Sequence, residues 1–281
     1  MNRARVDNAW RKFAIYLFLV LMAAAVVFPM AWMFATSFKD ARSIFRDPWA
    51  FPEKLQFSNY SGAWTKGAMG LKFLNSLAIT AVALMLILLI SAMAAYVIAR
   101  FRFPGSSFLY YMFLAGLAVP IFLAIMPLFR LMDQLRLLDT RVGLVLAYVA
   151  YSLAFTIFVL TGFFRTLPSQ LAEAAAMDGA SPSRTFWRVM FPLSKPGLVA
   201  AGIFVGIGLW NEYPLALVLI TTDNLQTLPL GIASLTMTQR YQSDWGALFA
   251  VLAIAVIPTL LAYALFQRQI EQGFTAGALK G

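Results

Sequence analysis

The chain has 281 residues, of which 61% are hydrophobic and 12% are charged, and its mean hydropathy is +0.76. A soluble domain is about 25% charged and about 45–50% apolar, so this composition is typical of a membrane protein. Histidine and cysteine are both absent, which excludes a disulfide scaffold, a Cys/His zinc site, histidine-ligated haem and a cysteine or Ser-His-Asp catalytic centre. The net charge of +10 would suggest nucleic acid in a soluble protein, but here the basic residues lie between long apolar runs.

Six of these apolar runs are long enough to cross a bilayer, since a helical span needs about 20 predominantly apolar residues. Together they contain one formally charged residue, Glu212, and they lack the alternation of β-barrel strands. We therefore expect an all-α polytopic membrane protein with a single transmembrane domain over residues 1–281. The predicted spans are 13–34, 73–99, 108–129, 142–164, 198–220 and 245–266.

The positions of lysine and arginine favour cytoplasmic N- and C-termini. Four basic residues precede the first span and none follows it before Lys39, in agreement with the positive-inside rule. With this orientation the inner segments carry 12 basic residues and the outer segments carry 10. That difference alone is small, so the charged flank of the first span is the stronger indication.

The fourth and fifth spans are joined by a long inner loop, residues 165–197, that begins with the pattern of a short helix. Residues 170–177 are rich in alanine, which favours helix formation, and Ser169 lies where an N-cap is expected. Gly179 is placed to end this helix in a left-handed conformation. A helix of this kind would project from the membrane surface.

A second short helix is predicted to follow, with Ser181 as its N-cap and Pro182 at its first position. It should run to about Met190 and end before Pro192. Two interpretations of the pair are open: the helices dock a partner protein, or they lie on the lipid surface. Docking is favoured, because the alanine-rich helix lacks the bulky apolar stripe that interfacial helices need.

The same loop resembles the EAA motif of bacterial ABC importer membrane subunits, which reads E-A-A-x3-G-x9-I-x-L-P. Val189 and Phe191 replace the isoleucine and leucine of that pattern. The resemblance implies that the loop is cytoplasmic and couples the membrane domain to an ATPase. The residues expected to contribute to coupling are Glu173, Ala174, Ala175, Asp178, Gly179, Ala180, Phe186 and Pro192.

Shorter motifs along most of the chain resemble the carbohydrate-uptake permeases, and most closely the smaller six-helix subunit of maltose-type transporters. They are Asn59-Tyr60, Asn75-Ser76-Leu77, Ala95-Tyr96, Ala99-Arg100-Phe101, Trp210-Asn211-Glu212-Tyr213, Leu228-Pro229-Leu230-Gly231 and the tail 267–281. The resemblance implies a type I ABC importer transmembrane domain in the cytoplasmic membrane of a bacterium or archaeon.

The partners that this resemblance implies are a second related permease, two cytoplasmic ATPase subunits and an extracytoplasmic sugar-binding protein, with no nucleic acid. Outer residues 221–244 would engage the binding protein, and the tail 267–281 would enter the interface between the ATPases. The chain itself would be non-catalytic, without a cofactor or a metal, because ATP and Mg would be bound by the ATPase subunits. In agreement, the sequence has no G-x4-G-K-[ST] phosphate-binding loop.

Glu212 is the one carboxylate expected inside the membrane, in the middle of the fifth span. Burying such a charge costs about 2.5–3.5 kcal/mol on insertion scales, so it should face the bundle interior or a wet cavity. Pro214 removes a hydrogen bond to the Trp210 carbonyl and therefore predicts a kink. Two interpretations are open: Trp210, Asn211, Glu212 and Tyr213 line a sugar translocation path, or they bond to neighbouring helices and hold the bundle together. A proton-coupled carrier would also use such a carboxylate, but it would have no use for an ATPase-docking loop.

Overall fold

The computed structural model describes residues 3–66, 68–242 and 244–278, with side chains described for 10–65, 68–237, 244–267 and 269. Within these ranges the backbone is helical or irregular and contains no strand. A π-helical turn (Phe186–Met190) and a 3-10 turn (Asp223–Leu225) accompany the α-helices. The α-helices are α1 (Arg3–Thr36), α2 (Ala41–Arg46), α3 (Ser58–Lys66), α4 (Met69–Arg100), α5 (Ser106–Gly116), α6 (Ile121–Gln134), α7 (Arg141–Thr166), α8 (Gln170–Met177), α9 (Pro182–Thr185), α10 (Phe191–Leu193), α11 (Lys195–Trp210), α12 (Pro214–Leu219), α13 (Leu228–Gln242) and α14 (Trp245–Ala278).

Four single helices are long and apolar enough to cross a membrane: Trp10–Thr36 of α1, all of α4 and α7, and Trp245–Gln267 of α14. Two bent helix pairs also pass this test together, namely α5 with α6 and the segment Pro182–Leu193 with α11. The described residues therefore provide between four and six spans. The prediction of an all-helical membrane protein is therefore confirmed, and the long spans lie where the apolar runs placed them.

The third predicted span, 108–129, is not one continuous helix. α5 ends at Gly116 and α6 begins at Ile121, and the two helices are bent by 103°. Pro120 is extended, with φ −63° and ψ 131°. Proline also disfavours helical geometry at the residue before it, Val119, so α5 does not continue through Pro120.

The fifth predicted span, 198–220, begins earlier and is also broken. α11 begins at Lys195 and ends at Trp210, and α12 begins at Pro214. Tyr213, between the two helices, has the non-helical angles φ −126° and ψ −45°. The kink predicted at Pro214 is therefore a complete interruption, with Pro214 in the first position of the next helix.

The last helix continues beyond the predicted span. The sequence placed its end at 266 and treated 267–281 as a separate, bendable tail, whereas α14 extends to Ala278. Residues 279–281 lie outside the described part of the chain. Pro258 lies inside α14 without ending it.

The chain divides into two compact units, the first formed by 1–69 with 232–256 and the second by 70–231 with 257–281. In the first unit, the Asn59-Tyr60 motif attaches α3 to the end of α1. Asn59 Nδ2 donates to the carbonyls of Ser37 (2.9 Å) and Lys39 (2.8 Å), and the Tyr60 hydroxyl lies 2.6 Å from Ser37 Oγ. The 18-residue apolar window of α1 has no buried residue.

The interior of the second unit contains two apolar clusters, formed mainly by α4, α7, α11 and α12. One cluster of fully buried side chains includes Ile87, Leu144 and Leu215. The other includes Leu160 and Phe164 and extends to the loop after α7. This interior positions the two features that the sequence singled out, the loop 165–197 and Glu212.

Candidate coupling loop and membrane carboxylate

The first helix of the loop has the predicted bounds, Gln170–Met177. Ser169 occupies the N-cap position, but its backbone is helical and its side chain makes no capping hydrogen bond. Its carbonyl instead accepts from the amides of Ala172 (3.0 Å) and Glu173 (3.1 Å). The predicted position of the cap is therefore right, and the predicted side-chain cap is wrong.

Gly179 ends α8 in the left-handed conformation, with φ +78°. The Ala180 amide donates to the Ala175 carbonyl at 2.9 Å, and the Gly179 amide donates to the Ala176 carbonyl at 3.0 Å. These two bonds are the Schellman pattern, so the prediction for Gly179 is confirmed. A Cβ added at Gly179 would meet nothing within 4 Å, which means that backbone conformation alone makes glycine the preferred residue here.

The second helix begins as predicted, because Ser181 Oγ accepts from the Arg184 amide at 3.3 Å. It does not end before Pro192. The chain passes from α9 through the π-helical turn into α10, which extends to Leu193. Pro192 lacks an amide and would clash in a regular helix, and the wider turn before it gives the ring room.

Most of the residues predicted to contribute to coupling lie on the surface of the loop. Glu173, Ala174, Asp178, Gly179 and Pro192 are exposed, and Ala175 and Ala180 are half-buried. Their neighbour Met177 is 89% exposed. The α8–α9 corner therefore exposes small and apolar side chains together with two carboxylates, Glu173 and Asp178.

Phe186 is different, because it is only 5% exposed and belongs to the interior. Its ring lies 5.1 Å from that of Tyr96, at the end of α4. Arg100 Nη2, on the same helix, donates to the Leu167 carbonyl at 2.6 Å. The loop is thus attached to α4 at two points, and Phe186 acts on its geometry from within.

Glu212 caps the helix that follows the break. Its Oε1 accepts from the Leu215 amide at 2.6 Å, and its Oε2 accepts from the Ala216 amide at 3.2 Å. The Tyr148 hydroxyl, on α7, donates to Oε2 at 2.7 Å. The first amides of a helix have no partner within it and carry a partial positive charge, so a carboxylate is well suited to this position.

The other three residues of the motif do not share one surface. Trp210 is buried, with its ring against Phe73 at 5.4 Å. Asn211 is exposed and donates to the Ile207 carbonyl at 2.9 Å, while Tyr213 packs against the buried cluster of α4, α7 and α12. The structure therefore supports the bundle-holding interpretation for Glu212, with bonds to its own segment and to α7.

The sequence reasoning did not identify Tyr148 as a partner of Glu212. The available signal was a phenol in a largely apolar span, since a buried tyrosine hydroxyl usually has a hydrogen-bond partner. Glu212 also borders a cavity of about 590 Å³, whose lining includes Tyr151, Ser152 and Phe155 of α7.

Polar residues at the beginning of α4 hold the segment that follows α12. Lys72, which is 3% exposed, forms an ion pair with Asp223 at 2.8 Å. Asn75 Nδ2 donates to the carbonyls of Asn224 (2.9 Å) and Gln226 (3.0 Å). The Asn75-Ser76 motif thus has a structural role that the sequence alone did not indicate.

The same segment is held from a second direction by Asp139, which lies between α6 and α7. Asp139 Oδ1 accepts from the amides of Thr221 and Thr222, each at 2.9 Å, and Oδ2 accepts from the Thr222 hydroxyl at 2.5 Å. These hydrogen bonds, with the Thr222 hydroxyl first, lower the pKa of Asp139 to about 2. The beginning of the 221–244 region is therefore fixed on both sides.

The described residues thus combine a structured loop with long apolar helices of membrane-spanning length and composition. Residues 87–276 match the family model described as "Binding-protein-dependent transport system inner membrane component". The chain belongs to this family, which confirms the resemblance drawn from the EAA motif.

Curated relatives match almost the whole chain. The diacetylchitobiose uptake system permease protein NgcG of Streptomyces coelicolor is 44% identical over 262 residues, covering 93% of this chain and 87% of that protein. The trehalose transport system permease protein SugB of Mycobacterium tuberculosis is 35% identical, covering 93% of this chain and 95% of that protein.

The fold also has a solved counterpart. A chain from the crystal structure of a bacterial ABC transporter involved in the import of the acidic polysaccharide alginate superposes with a TM-score of 0.83. The match covers 93% of this chain and 97% of that one at 21% identity. At this level of identity the likeness concerns the fold alone.

Proposed function

We propose that this chain is the permease subunit of a binding-protein-dependent ABC importer that moves a sugar, of di- or oligosaccharide size, into the cytoplasm. The names of the relatives, which refer to diacetylchitobiose and trehalose, support a carbohydrate substrate. The chain works without enzymatic activity of its own, and ATP and Mg belong to the partner ATPases. Its location is the cytoplasmic membrane of a bacterium or archaeon.

In this proposal α5 with α6 forms one span and α11 with α12 forms another, which gives six spans with both termini in the cytoplasm. A second related permease completes the pathway. Two ATPase subunits contact the loop 165–197, and an extracytoplasmic sugar-binding protein contacts the region 221–244. The clamp on residues 221–226 by Lys72, Asn75 and Asp139 supports a docking role, because a fixed loop loses little conformational entropy on binding.

The observation that supports coupling is the α8–α9 corner. Its exposed side carries Ala174 and Met177, and its inner side is attached through Phe186 and Arg100 to α4. An eight-residue helix is marginal by itself, so the Schellman turn and these attachments keep it in place. A movement of the ATPase against the corner would then reach α4 directly.

We also propose that the helix break at 211–213 borders the sugar path. The cavity of about 590 Å³ beside Glu212 has the aromatic side chains Tyr151 and Phe155 in its lining. Aromatic faces next to a few polar groups are typical of carbohydrate sites. Glu212 would act here mainly by fixing the shape of the break.

The coupling proposal is tested with the double substitution Gly179→Val and Glu173→Ala. Valine in the left-handed conformation costs about 1–2 kcal/mol, and alanine removes the carboxylate expected to pair with a basic residue of the ATPase. We expect the variant to insert normally and retain the partner permease, but to lose both ATPase co-purification and sugar uptake.

Matched controls are Gly179→Asn, because asparagine tolerates the left-handed conformation, and Glu173→Gln, which keeps the shape of the side chain. Gly179→Asn should retain ATPase binding, whereas Glu173→Gln separates the contribution of the charge from that of packing. Wild-type uptake by the double variant would contradict the coupling proposal. Uptake by liposomes that contain only this chain would instead indicate a stand-alone carrier.

A further inference from the structure

A polar cavity of about 760 Å³ lies in the second unit where α4 and α7 end and the loop begins. Its lining includes the basic residues Arg100, Arg102 and Arg165 and a single carboxylate, Glu173. Neither of the two ion pairs found in the described part of the chain involves these residues. The cavity therefore carries an excess of positive charge that the side chains around it do not neutralise.

One nitrogen of the Arg100 guanidinium is buried without a hydrogen-bond partner among the described residues. This nitrogen is Nε, whereas Nη2 donates to the Leu167 carbonyl. Buried polar groups are nearly always paired in proteins, and an unpaired charged donor is especially costly. The charge of Arg100, a residue of the cavity lining, is therefore only partly compensated by hydrogen bonds within the described residues.

The other donors suit a tetrahedral oxyanion. The Arg165 guanidinium is held over the ring of Tyr110, 4.9 Å from its centroid, while Arg102 is exposed at the cavity rim. Hydroxyl groups of Ser106 and Thr185 complete the lining. Guanidinium groups bind phosphate through paired, charge-assisted hydrogen bonds, and hydroxyls add further donors.

The position of the cavity relative to the membrane indicates that the anion belongs to a lipid headgroup. Arg100 and Arg165 are the first charged residues after the apolar runs of α4 and α7, which places them at the level of lipid headgroups. Ile98 and Phe101 add an apolar wall. Basic pockets between helices at the cytoplasmic surface are suited to anionic lipid headgroups.

We propose that this cavity binds the phosphate group of an acidic phospholipid of the cytoplasmic leaflet. The proposal rests on the proposed function only for the orientation of the chain. A bound lipid would join the ends of α4 and α7 to the beginning of the coupling loop. A soluble phosphate ester shares the same chemistry, and the experiment distinguishes the two sources.

The test measures the thermal unfolding midpoint of the purified importer complex in detergent while dioleoylphosphatidylglycerol is added. The variant is Arg102→Gln with Arg165→Gln, which spares the bond from Arg100 to Leu167. The matched control is Arg130→Gln with Arg141→Gln, which removes the same charge from exposed positions outside both the cavity lining and the coupling loop. Parallel titrations use dioleoylphosphatidylcholine and glycerol phosphate.

Phosphatidylglycerol should raise the midpoint of the wild type and of the control. A basic residue near an acidic lipid contributes roughly fivefold in affinity, so the variant should need about 25-fold more lipid for the same rise. A third variant, Arg102→Lys with Arg165→Lys, should recover most of the rise in the unfolding midpoint, because it restores the charge.

Equal responses of the variant and the control, or an equal effect of phosphatidylcholine, would overturn the site. An effect of glycerol phosphate as large as that of the lipid would overturn the lipid source. Sugar uptake and ATPase co-purification by the wild type are measured separately. A failure of the lipid site can therefore be told apart from a failure of the proposed function.

Discussion

The hydrogen bond between Tyr148 and Glu212 gives the sharpest prediction about stability. Tyr148→Phe removes only the hydroxyl from a side chain that is 1% exposed, so water cannot replace the lost bond. A hydrogen bond to a charged group contributes about 1.5–3 kcal/mol in soluble proteins. Measured bonds between helices in a membrane average about 0.6 and reach about 1.7 kcal/mol. We therefore expect Tyr148→Phe to lower the free energy of unfolding by about 1–2 kcal/mol.

The second arm is Glu212→Gln. Glutamine has one side-chain oxygen in place of two, so the Leu215 amide and the Ala216 amide cannot both keep their separate acceptors. Losing one capping bond costs about 1 kcal/mol. The Tyr148 hydroxyl also loses its charged acceptor, so the double variant should be less destabilised than the sum of the single variants by about 1 kcal/mol.

The measurement is a double-mutant cycle on the assembled transporter, unfolded by denaturing detergent in mixed micelles and followed by tryptophan fluorescence. Independent sites add within about 0.3–0.5 kcal/mol. A coupling energy below that range, or an unchanged free energy of unfolding in Tyr148→Phe, would contradict a stabilising hydrogen bond between Tyr148 and Glu212. Sugar uptake by Glu212→Gln is measured in parallel. Uptake equal to the wild type across pH 5–8 would contradict both a path role and proton coupling for this carboxylate.

Three further predictions concern Asp139, Gly197 and residues 273–281. Asp139→Ala should lower the unfolding temperature more than Asp139→Asn, because asparagine keeps an acceptor and suits the local φ of +54°. The pKa of Asp139 is lowered to about 2, so the stabilisation by its carboxylate is fully present above about pH 4 and is lost only as the pH falls toward 2. Thermal scans in which the difference between wild type and Asp139→Ala changes between pH 5 and 8 would contradict the bonding described. Gly197→Ala would place Cβ 2.5 Å from the Phe163 ring and should cost about 1–3 kcal/mol in unfolding measurements, whereas Gly162→Ala, with nothing within 4 Å, should not. Deleting residues 273–281 should lower stimulated ATP hydrolysis, and unchanged hydrolysis with unchanged uptake would indicate a tail without contacts.

The long helices and the turns of the loop could be predicted because their causes are local. Hydropathy alone places α4 and α7 within a few residues. In the loop, alanine content, Gly179 and the Ser181-Pro182 pair each act on their immediate neighbours. Such determinants can be read from a few consecutive residues, which is why the bounds of α8 were right.

The helix breaks could not be predicted in the same way, because proline has no single outcome. Pro29, Pro127 and Pro258 lie inside helices, whereas the helices end before Pro120 and Pro214. A break is stable only where other groups satisfy the freed amides and carbonyls. At Pro214 this group is Glu212, and its contribution depends on Tyr148 and on the packing of α7.

Contacts between distant residues form the second class that sequence reasoning missed. Lys72 pairs with Asp223 across 151 positions, and Tyr148 pairs with Glu212 across 64. Each partner is recognisable as a polar group in or beside an apolar helix. Which partners pair depends on which helices pack against each other, and a local sequence pattern does not predict that packing.

The uninterrupted length of α14 has a mechanical consequence. At 1.5 Å per residue, the 12 residues 267–278 that continue the helix beyond the predicted span add about 18 Å. A tilt of this part by about 10° around residue 267 displaces its far end by roughly 3 Å. A continuous helix would therefore transmit a small rotation at the membrane boundary to its last turn, whereas a loose tether would absorb it.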